Sequence, residues 1–207
     1  MMTMTNEDHK ILLYVEKFGS ITINQCQSMY YNTQSGGYVM ASRHLTRLVA
    51  SLKLKVFREP YSKKNVYYNT KKPSYHTILI QEYYAQLIRS GVFINYFKRE
   101  QSWLNNKYYS DGFCMYCLGN NVYFDAIEVI RTKGVEKKKY IEIYDSKEAH
   151  ELSDELYSQI KGSSKRDLFP RLILIDNVKH KKPLFINDNV NVIQLDFNLS
   201  DFSKVFV

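Results

Sequence analysis

The sequence predicts an α+β protein made of two units, a small helical unit ending in short strands and a larger layered α/β unit. Apolar residues recur at helical spacing through the first fifty residues, and two short strand-like runs follow them. Longer stretches rich in β-branched and aromatic residues dominate the rest of the chain. Between the two patterns lies a Lys-Lys-Pro-Ser segment at residues 71–74, whose proline disfavours both helix and paired strand. We therefore predict domains over residues 1–72 and 76–207.

The composition is that of a folded chain without a membrane span. Apolar residues make up 44% and charged residues 24% of the 207 positions, which excludes a wholly disordered protein. The longest aliphatic run, residues 172–175, is far too short to cross a bilayer, so no membrane partner is expected. The first seven residues have neither a basic start nor an apolar core, and the three cysteines fit reduced thiols. These features predict a cytoplasmic location.

Positive charge is concentrated in the first third of the chain. Residues 1–76 hold 11 basic and 4 acidic side chains, whereas residues 77–207 hold 18 and 17. Basic charge gathered in one small unit is typical of proteins that bind a polyanion, because neutralised phosphates release condensed counterions. The same excess also serves solubility, so the arrangement of the basic residues has to distinguish the two interpretations.

Three helices are predicted in the basic unit. Asn6 is the expected N-cap of the first helix, and Gly19 ends it. Thr22 is the expected N-cap of the second helix. After a glycine break, the third helix is predicted over residues 38–52, with leucines and an alanine along one face.

Two short strands are predicted after the three helices, over residues 54–59 and 66–69. A polar loop that includes Pro60 joins them, as expected for a hairpin. Three helices followed by a two-stranded hairpin is the order of a winged helix-turn-helix, whose third helix enters the major groove of DNA. The sequence therefore predicts a winged helix-turn-helix DNA-binding domain.

Side chains on the predicted third helix are suited to base contacts. Arg43 and Arg47 are four residues apart, so they are expected to project together, away from the apolar face. Arginine grips guanine bidentately, which lysine does less well. Ser42 and Thr46 lie beside them with short polar side chains that can meet base edges or phosphates. Taken singly, each of these residues also fits an ordinary solvated helix face.

The predicted hairpin loop adds two further cations, Lys63 and Lys64, which are suited to phosphate or minor-groove contact. A polar hairpin without a ligand is the plainer interpretation of the pair alone. The element order and the local charge excess together favour duplex DNA as the ligand. The predicted DNA-binding set is Ser42, Arg43, Thr46, Arg47, Lys63 and Lys64.

The second unit begins with a predicted helix over residues 76–90, and a polar helix is expected later over residues 147–161. Six strand-like runs follow the first of these helices. These are residues 92–97, 112–118, 122–131, 139–144, 171–176 and 190–195. Alternation of strand runs with a crossover helix indicates a layered α/β domain.

The same element order occurs in restriction-endonuclease-like domains. Their metal sites combine an Asp opening one strand with an acid in the next, and a lysine two residues after that acid activates water. Asp111 is the candidate first acid, and Glu128 or Glu142 the second. Residues two apart on a strand share a face, and Ile130 and Tyr144 occupy the places where lysine is needed. We therefore predict a domain of this type that lacks the catalytic lysine, with three vestigial acids, no catalytic residue and no metal or other cofactor.

Five segments resemble the replication-relaxation family of Gram-positive plasmids and conjugative elements. Residues 8–12 and 19–25 are similar to the family's opening stretch, and residues 41–48 resemble its Arg- and Leu-rich recognition helix. Residues 110–112 look like its Pro-Asp-Gly motif, and residues 141–146 like its Glu-x-Asp stretch before a helix. The resemblance implies a winged helix joined to a nuclease-like domain that serves plasmid replication or DNA transfer through binding.

Two departures bear on the family's acidic site. Ser110 stands where the family has proline, and Tyr144 stands where it has the second Asp. The expected function is accordingly a non-enzymatic accessory or regulatory protein of a mobile element. It is expected to bind double-stranded DNA by sequence or by structure, in plasmid replication, conjugative transfer or transcription control. A relaxase or replication protein is the expected further partner, and a homodimer the candidate assembly. Two alternatives stay open: a Mg²⁺-dependent nuclease using Asp111 with Glu128 or Glu142, and a protein-interaction module.

Overall fold

The computed structural model describes residues 4–131, 135–160, 170–176 and 184–206. These residues form six α-helices and two β-sheets, so the chain has the predicted α+β class. No helix among them has the length and apolar character that crossing a membrane requires. The chain divides into two compact units, Met1–Ser90 and Gly91–Val207.

The first unit contains four helices and a three-stranded sheet. In chain order the elements are α1 Asn6–Phe18, β1 Ser20–Thr22, α2 Ile23–Tyr30, α3 Gly37–Ala50, β2 Lys55–Arg58, β3 Asn65–Tyr68 and α4 Tyr75–Arg89. The sheet is antiparallel in the order β1-β3-β2. Strand β1 was not predicted, because three residues are too few to show an alternating pattern. It pairs with the hairpin and ties the start of α2 to it.

Capping residues set where α1 and α2 begin. Thr5, rather than the predicted Asn6, is the N-cap of α1, since its hydroxyl accepts the Asp8 N–H at 3.3 Å. The Asp8 carboxylate accepts the Thr5 N–H at 2.9 Å and completes a capping box. Gly19 ends α1 with a left-handed φ of 89°, and Thr22 is the N-cap of α2, as predicted.

The start of α3 packs tightly against the end of α2. A Cβ at Gly37 would lie 2.3 Å from the carbonyl oxygen of Tyr31, so only glycine fits this position. Apolar side chains from the helices and strands fill the space between them, and all are almost completely buried. They include Ile11, Val15, Ile21, Cys26, Ala41, Leu45, Leu48, Leu54 and Val66. This packing fixes which face of α3 is left exposed.

Helix α4 belongs to the first unit, which corrects the predicted domains over residues 1–72 and 76–207. Gln81, fully buried, accepts a hydrogen bond from the Ser20 hydroxyl at 2.7 Å and donates one to the Phe18 carbonyl. Gln25 Nε2 donates to Glu82 Oε2 at 3.2 Å. Buried polar groups of this kind lose their partners if the helix is removed. The proline at residue 73 therefore opens a helix within the unit rather than marking its end.

The second unit is a five-stranded sheet with helices. Its elements are β4 Phe93–Trp103, β5 Tyr108–Leu118, β6 Asn121–Ile130, α5 Lys137–Tyr144, α6 Lys147–Ser158, β7 Arg171–Asp176, β8 Val192–Leu195 and a final 3-10 helix Phe202–Phe206. The sheet order is β4-β5-β6-β7-β8. Neighbours β4–β5 and β5–β6 are antiparallel, whereas β6–β7 and β7–β8 are parallel. The parallel pairing of β6 and β7 agrees with a helical crossover between them.

One predicted strand is wrong. Residues 139–144 form the greater part of helix α5, although their tyrosines and isoleucines favour a strand by propensity. The buried side chains are Tyr140, Ile143 and Tyr144, at the spacing of one helix face. Other predicted boundaries shift by a few residues, and residue 161, the predicted end of α6, lies outside the described residues.

One face of the sheet meets α5 and α6 in a single apolar cluster. The strands contribute Phe113, Met115, Phe124, Ala126, Leu172 and Leu174, and the helices Tyr140, Ile143, Tyr144, Ala149 and Leu156. The opposite face holds a buried ion pair between Asp125 and Arg171, 2.7 Å apart. Arg171 also donates to the Tyr116 hydroxyl and to the Val205 carbonyl, each at 2.7 Å. These bonds hold the final 3-10 helix to the sheet.

A fragment spanning residues 1–90 should fold alone, whereas a fragment ending at residue 72 should not. The shorter fragment loses a set of buried apolar side chains, whose four large aliphatic members each contribute about 1.5–3 kcal/mol, which is comparable in sum to the whole stability of a small domain. The lost set is Ile78, Leu79, Ile80, Tyr83, Ala85 and Leu87. Urea unfolding followed by far-ultraviolet circular dichroism checks this expectation. A cooperative transition in the shorter fragment would contradict the boundary after Ser90.

Candidate functional site

The exposed face of α3 carries most of the predicted base-contacting residues. Arg43 and Thr46 are exposed and Ser42 is half-buried. Leu45 and Leu48, on the opposite face, are buried to within 1%. Arg43, Thr46 and Ser42 therefore lie on the side of α3 away from its buried leucines, where Val39 and Ala50 are exposed as well.

Arg47 does not stand free beside Arg43, which corrects its predicted placement. One guanidinium nitrogen lies 2.5 Å from Asp8 Oδ2 and 3.1 Å from Thr5 Oγ1. Asp8 is 1% exposed and Arg47 is 30% exposed. Helical spacing predicts the direction in which Arg47 leaves α3. It does not show that the N-terminal turn of α1 lies close enough to bind it.

Asp8 is the centre of a polar cluster that joins α1 to α3, and we call Thr5, Asp8, His44 and Arg47 the Asp8 cluster. His44 Nδ1 lies 2.9 Å from Asp8 Oδ1, and the His44 ring stacks on Tyr31 with centroids 5.6 Å apart. Burial by itself raises the pKa of Asp8, but hydrogen bonds from Arg47, His44 and Thr5 outweigh burial and hold that pKa well below its ordinary value. The carboxylate therefore stays ionised and fixes α3 against α1.

The β2–β3 hairpin is held by a buried carboxylate. Glu59 is 3% exposed, and its Oε2 accepts the Tyr61 N–H at 2.9 Å and the Ser62 hydroxyl at 2.8 Å. Lys63 adopts a left-handed φ of 57°, which turns the loop back toward β3. Lys63 is exposed and Lys64 is half-buried. Hydrogen bonds to Glu59 therefore fix the loop backbone that carries the two lysines.

Two grooves border the exposed face of α3. The hairpin groove, about 310 Å³, is lined by Thr22, Ile23, Asn24, Tyr38, Arg58, Lys63, Lys64 and Asn65. The helix groove, about 450 Å³, is lined by Tyr38, Val39, Ser42, Arg43, Thr46, Arg47 and Ala50. Tyr38 lines both grooves, so they form one continuous surface. Its lining residues include five cations and no acid. Arg58 lies on this surface together with the predicted cations. The sequence did not indicate its place there, because Arg58 falls within a strand and not in the loop.

A second candidate site lies at the end of strands β5 and β6. Gly112 pairs with Ile127, so Asp111 and Glu128 are directly opposite one another and share a face of the sheet. Asp111 Oδ2 accepts the Val129 N–H at 2.8 Å. Two of the three predicted vestigial acids are thus brought together.

Lys139 reaches this pair of acids from helix α5. Its ammonium group binds Glu128 and the Tyr109 carbonyl, and the Lys139 and Glu128 side chains are each 13% exposed. On the strand itself, the position two residues after Glu128 is occupied by Ile130 rather than by lysine. A helical interpretation of residues 137–144 would have placed Lys139 near the sheet beside Tyr140.

Burial raises the pKa of Glu128 to about 7, although Lys139 acts in the opposite direction, and the nearby Asp111 adds to the rise. Glu142 lies elsewhere, bound to Lys107 and, at 3.0 Å, to the Tyr108 hydroxyl. Of the two alternatives for the second acid, Glu128 is the one that lies opposite Asp111 on the neighbouring strand. Among the described residues no three His, Cys, Asp or Glu side chains are grouped closely enough to hold a metal ion. Two carboxylates still fit Mg²⁺, which commonly binds one or two together with water and phosphate oxygens.

Comparison with protein-family models, curated proteins and solved structures finds no match to this chain. The resemblance to the replication-relaxation family stays a prediction from the five segments described above.

Replacing Asp8 with asparagine should destabilise the first unit by about 2–3 kcal/mol at neutral pH, because Arg47 loses its buried partner. A carboxylate with a lowered folded-state pKa stabilises the fold above its ordinary pKa, about 4, and that stabilisation is lost as the pH falls toward the folded-state value. Unfolding free energies of the native protein and Asp8→Asn should therefore converge below about pH 4.

Urea unfolding of both proteins at several pH values provides the measurement. Glu16→Gln removes an exposed carboxylate from the same helix and serves as the control, which should unfold like the native protein. An Asp8→Asn variant as stable as the native protein at neutral pH would show that the Asp8 cluster contributes nothing.

Proposed function

We propose that the first unit is a winged helix that binds double-stranded DNA, and that the protein is a DNA-binding accessory or regulatory factor rather than an enzyme. The observation that carries the proposal is the continuous surface around Tyr38, where α3 and the β2–β3 hairpin meet. It is lined by cations and by no acidic residue, as a phosphate backbone requires.

The order of elements supports this proposal. A helix, a short strand, two helices and a hairpin, with sheet order β1-β3-β2, is the arrangement expected of a winged helix. In that arrangement α3 takes the position of the recognition helix and the hairpin that of the wing. Helix α4 packs on β1 and α2, and its first residue, Tyr75, contacts Tyr61 of the hairpin loop with ring centroids 5.3 Å apart.

Each residue of the surface has a distinct role in the proposal. Arg43 enters the major groove, where its guanidinium can bind guanine O6 and N7, and Ser42 and Thr46 lie beside it. Arg58, Lys63 and Lys64 bind phosphates; they line the hairpin groove. Arg47 is a positioning residue, since its bond to Asp8 sets the orientation of α3.

The charge balance of the first unit favours a polyanionic ligand. Residues 1–90 contain 12 Lys and Arg against 5 Asp and Glu. Three of the acids, Asp8, Glu59 and Glu82, are buried and bonded within the unit, so they weaken the positive surface less than exposed acids would. Binding to duplex DNA should then depend steeply on salt.

Binding to a random-sequence duplex should weaken with salt at a slope of about −0.9 per neutralised phosphate. The double variant Lys63→Ala/Lys64→Ala should reduce the magnitude of that slope by about 2, because two phosphate contacts are lost. Fluorescence anisotropy across a series of salt concentrations measures the slope.

The matched control is Lys10→Ala/Lys17→Ala, which removes two exposed cations of α1 that line neither groove. Its slope should stay closer to the native value. Equal slopes for the two double variants would show that the hairpin does not contact the backbone. Complete indifference of the native protein to any duplex would remove the proposal and favour a protein-interaction module.

The resemblance to the replication-relaxation family supports a narrower role. We propose that DNA binding serves plasmid replication or conjugative transfer, with a relaxase or replication protein as a further partner. Pull-down of such a protein from a plasmid-bearing host by the full chain, and its loss without plasmid, tests this role.

A second candidate function, a metal-dependent nuclease, is favoured by one observation. Asp111, Glu128 and Lys139 meet at one end of the sheet, so the lysine missing from the strand is supplied by a helix. Asp111 and Glu128 would hold a divalent cation, which supplies Lewis-acid charge to a phosphodiester. Lys139 would hold and polarise an attacking water.

Incubation of plasmid DNA with the full chain and Mg²⁺ or Mn²⁺ tests the second candidate. If it is correct, Asp111→Asn and Lys139→Met should each abolish cleavage, because one removes a metal ligand and the other the water-polarising group. Glu142→Gln removes a carboxylate of the same unit that lies elsewhere, and it should cleave like the native protein. Absence of cleavage by the native protein, or equal cleavage by all variants, would exclude this site.

A further inference from the structure

The exposed face of α3 would present mostly apolar side chains, and few polar ones, to a DNA groove. Val39 is 51% exposed and Tyr38 is 50% exposed, and Ala50 is also exposed. Val39, Arg43, Thr46 and Ala50 follow one another at helical spacing along a single stripe. One cation therefore stands among apolar groups and the methyl group of a threonine.

The side chains with the strongest preference for adenine or cytosine are missing from this helix, although the hydroxyls of Ser42 and Thr46 can bond to several kinds of base edge. Adenine is typically read by Asn or Gln, and cytosine by Asp or Glu. Helix α3, Gly37–Ala50, contains none of these four residue types. Thymine is instead distinguished by its 5-methyl group, which packs against apolar side chains and the threonine methyl group.

The Asp8 cluster further reduces the number of guanine contacts that α3 can make. Arg47 would supply a second guanine contact if its guanidinium were free, but it is bound to Asp8 and Thr5. Arg43 remains as the cation on the exposed stripe. A helix with one free guanidinium and several apolar groups matches a groove with many thymine methyl groups and a single guanine.

We propose that α3 reads a thymine-rich segment of the major groove, with Val39, Thr46 and Ala50 against thymine methyl groups and Arg43 on one guanine. This inference rests on the proposed DNA binding and adds the base composition of the site. The apolar stripe on its own would also suit a second copy of the chain. The hairpin groove beside it carries Arg58, Lys63 and Lys64, so two copies of this face would repel each other, whereas DNA phosphates would complement it.

The test begins with duplexes selected by the full chain from a pool with a random segment about two helical turns long. The selected duplexes are resynthesised with deoxyuridine in place of thymidine, which removes only the 5-methyl groups. Affinity should fall by about fourfold for each methyl group that was buried against α3.

Val39→Ala shortens the apolar contact without endangering the helix, because alanine is the best helix former. This variant should bind thymine duplexes more weakly than the native protein and should discriminate less between thymine and uracil. Leu13→Ala, at a 64% exposed position on α1, is the matched control and should keep the native discrimination.

Three results would overturn the inference, and they are distinguishable. Equal binding of thymine and uracil duplexes by the native protein would remove the methyl contacts while leaving DNA binding intact. Failure to bind any duplex would remove the proposed function itself. A dimer of the native protein that Val39→Ala converts to a monomer would show that the stripe is an interface between copies.

Discussion

The ionised, buried carboxylate of Asp8 is the constraint on which the first unit depends. It closes the capping box of α1 through Thr5 and holds Arg47 of α3, so one side chain sets both where a helix begins and how two helices cross. A buried charge of this kind is costly unless it is paired, and its partners are therefore committed to it. One guanidinium nitrogen of Arg47 is therefore engaged with Asp8, whereas Arg43 is exposed on the outer face of α3.

The outer surface follows from this inner arrangement. Glu59 plays a similar part in the hairpin, where a buried acid satisfies backbone and hydroxyl donors and keeps the loop cations outward. Both acids therefore support a positive surface rather than cancelling it. In the proposed DNA binding, the hairpin supplies charge and α3 supplies shape and methyl contacts, so attraction to the DNA backbone and recognition of bases fall to different elements.

Local patterns predicted what local physics determines. The cap at Thr22, the end of α1 at Gly19 and strand β7 follow from hydrogen-bonding and propensity within a few residues. The place of α4, the partner of Arg47 and the arrival of Lys139 at Glu128 depend on contacts between residues far apart in the chain. Helix α5 shows the limit of local patterns within one segment. Its residues favour a strand by propensity, whereas its buried side chains have helical spacing.

The most direct measurement of DNA binding through α3 and the hairpin is a map of the amide groups whose NMR signals shift when duplex DNA is added to the full chain. Binding through these two elements predicts changes along α3 around Arg43 and in the hairpin around Lys63, together with unchanged signals along the exposed face of α1. Signals that shift mainly along α1, with α3 and the hairpin unaffected, would contradict it.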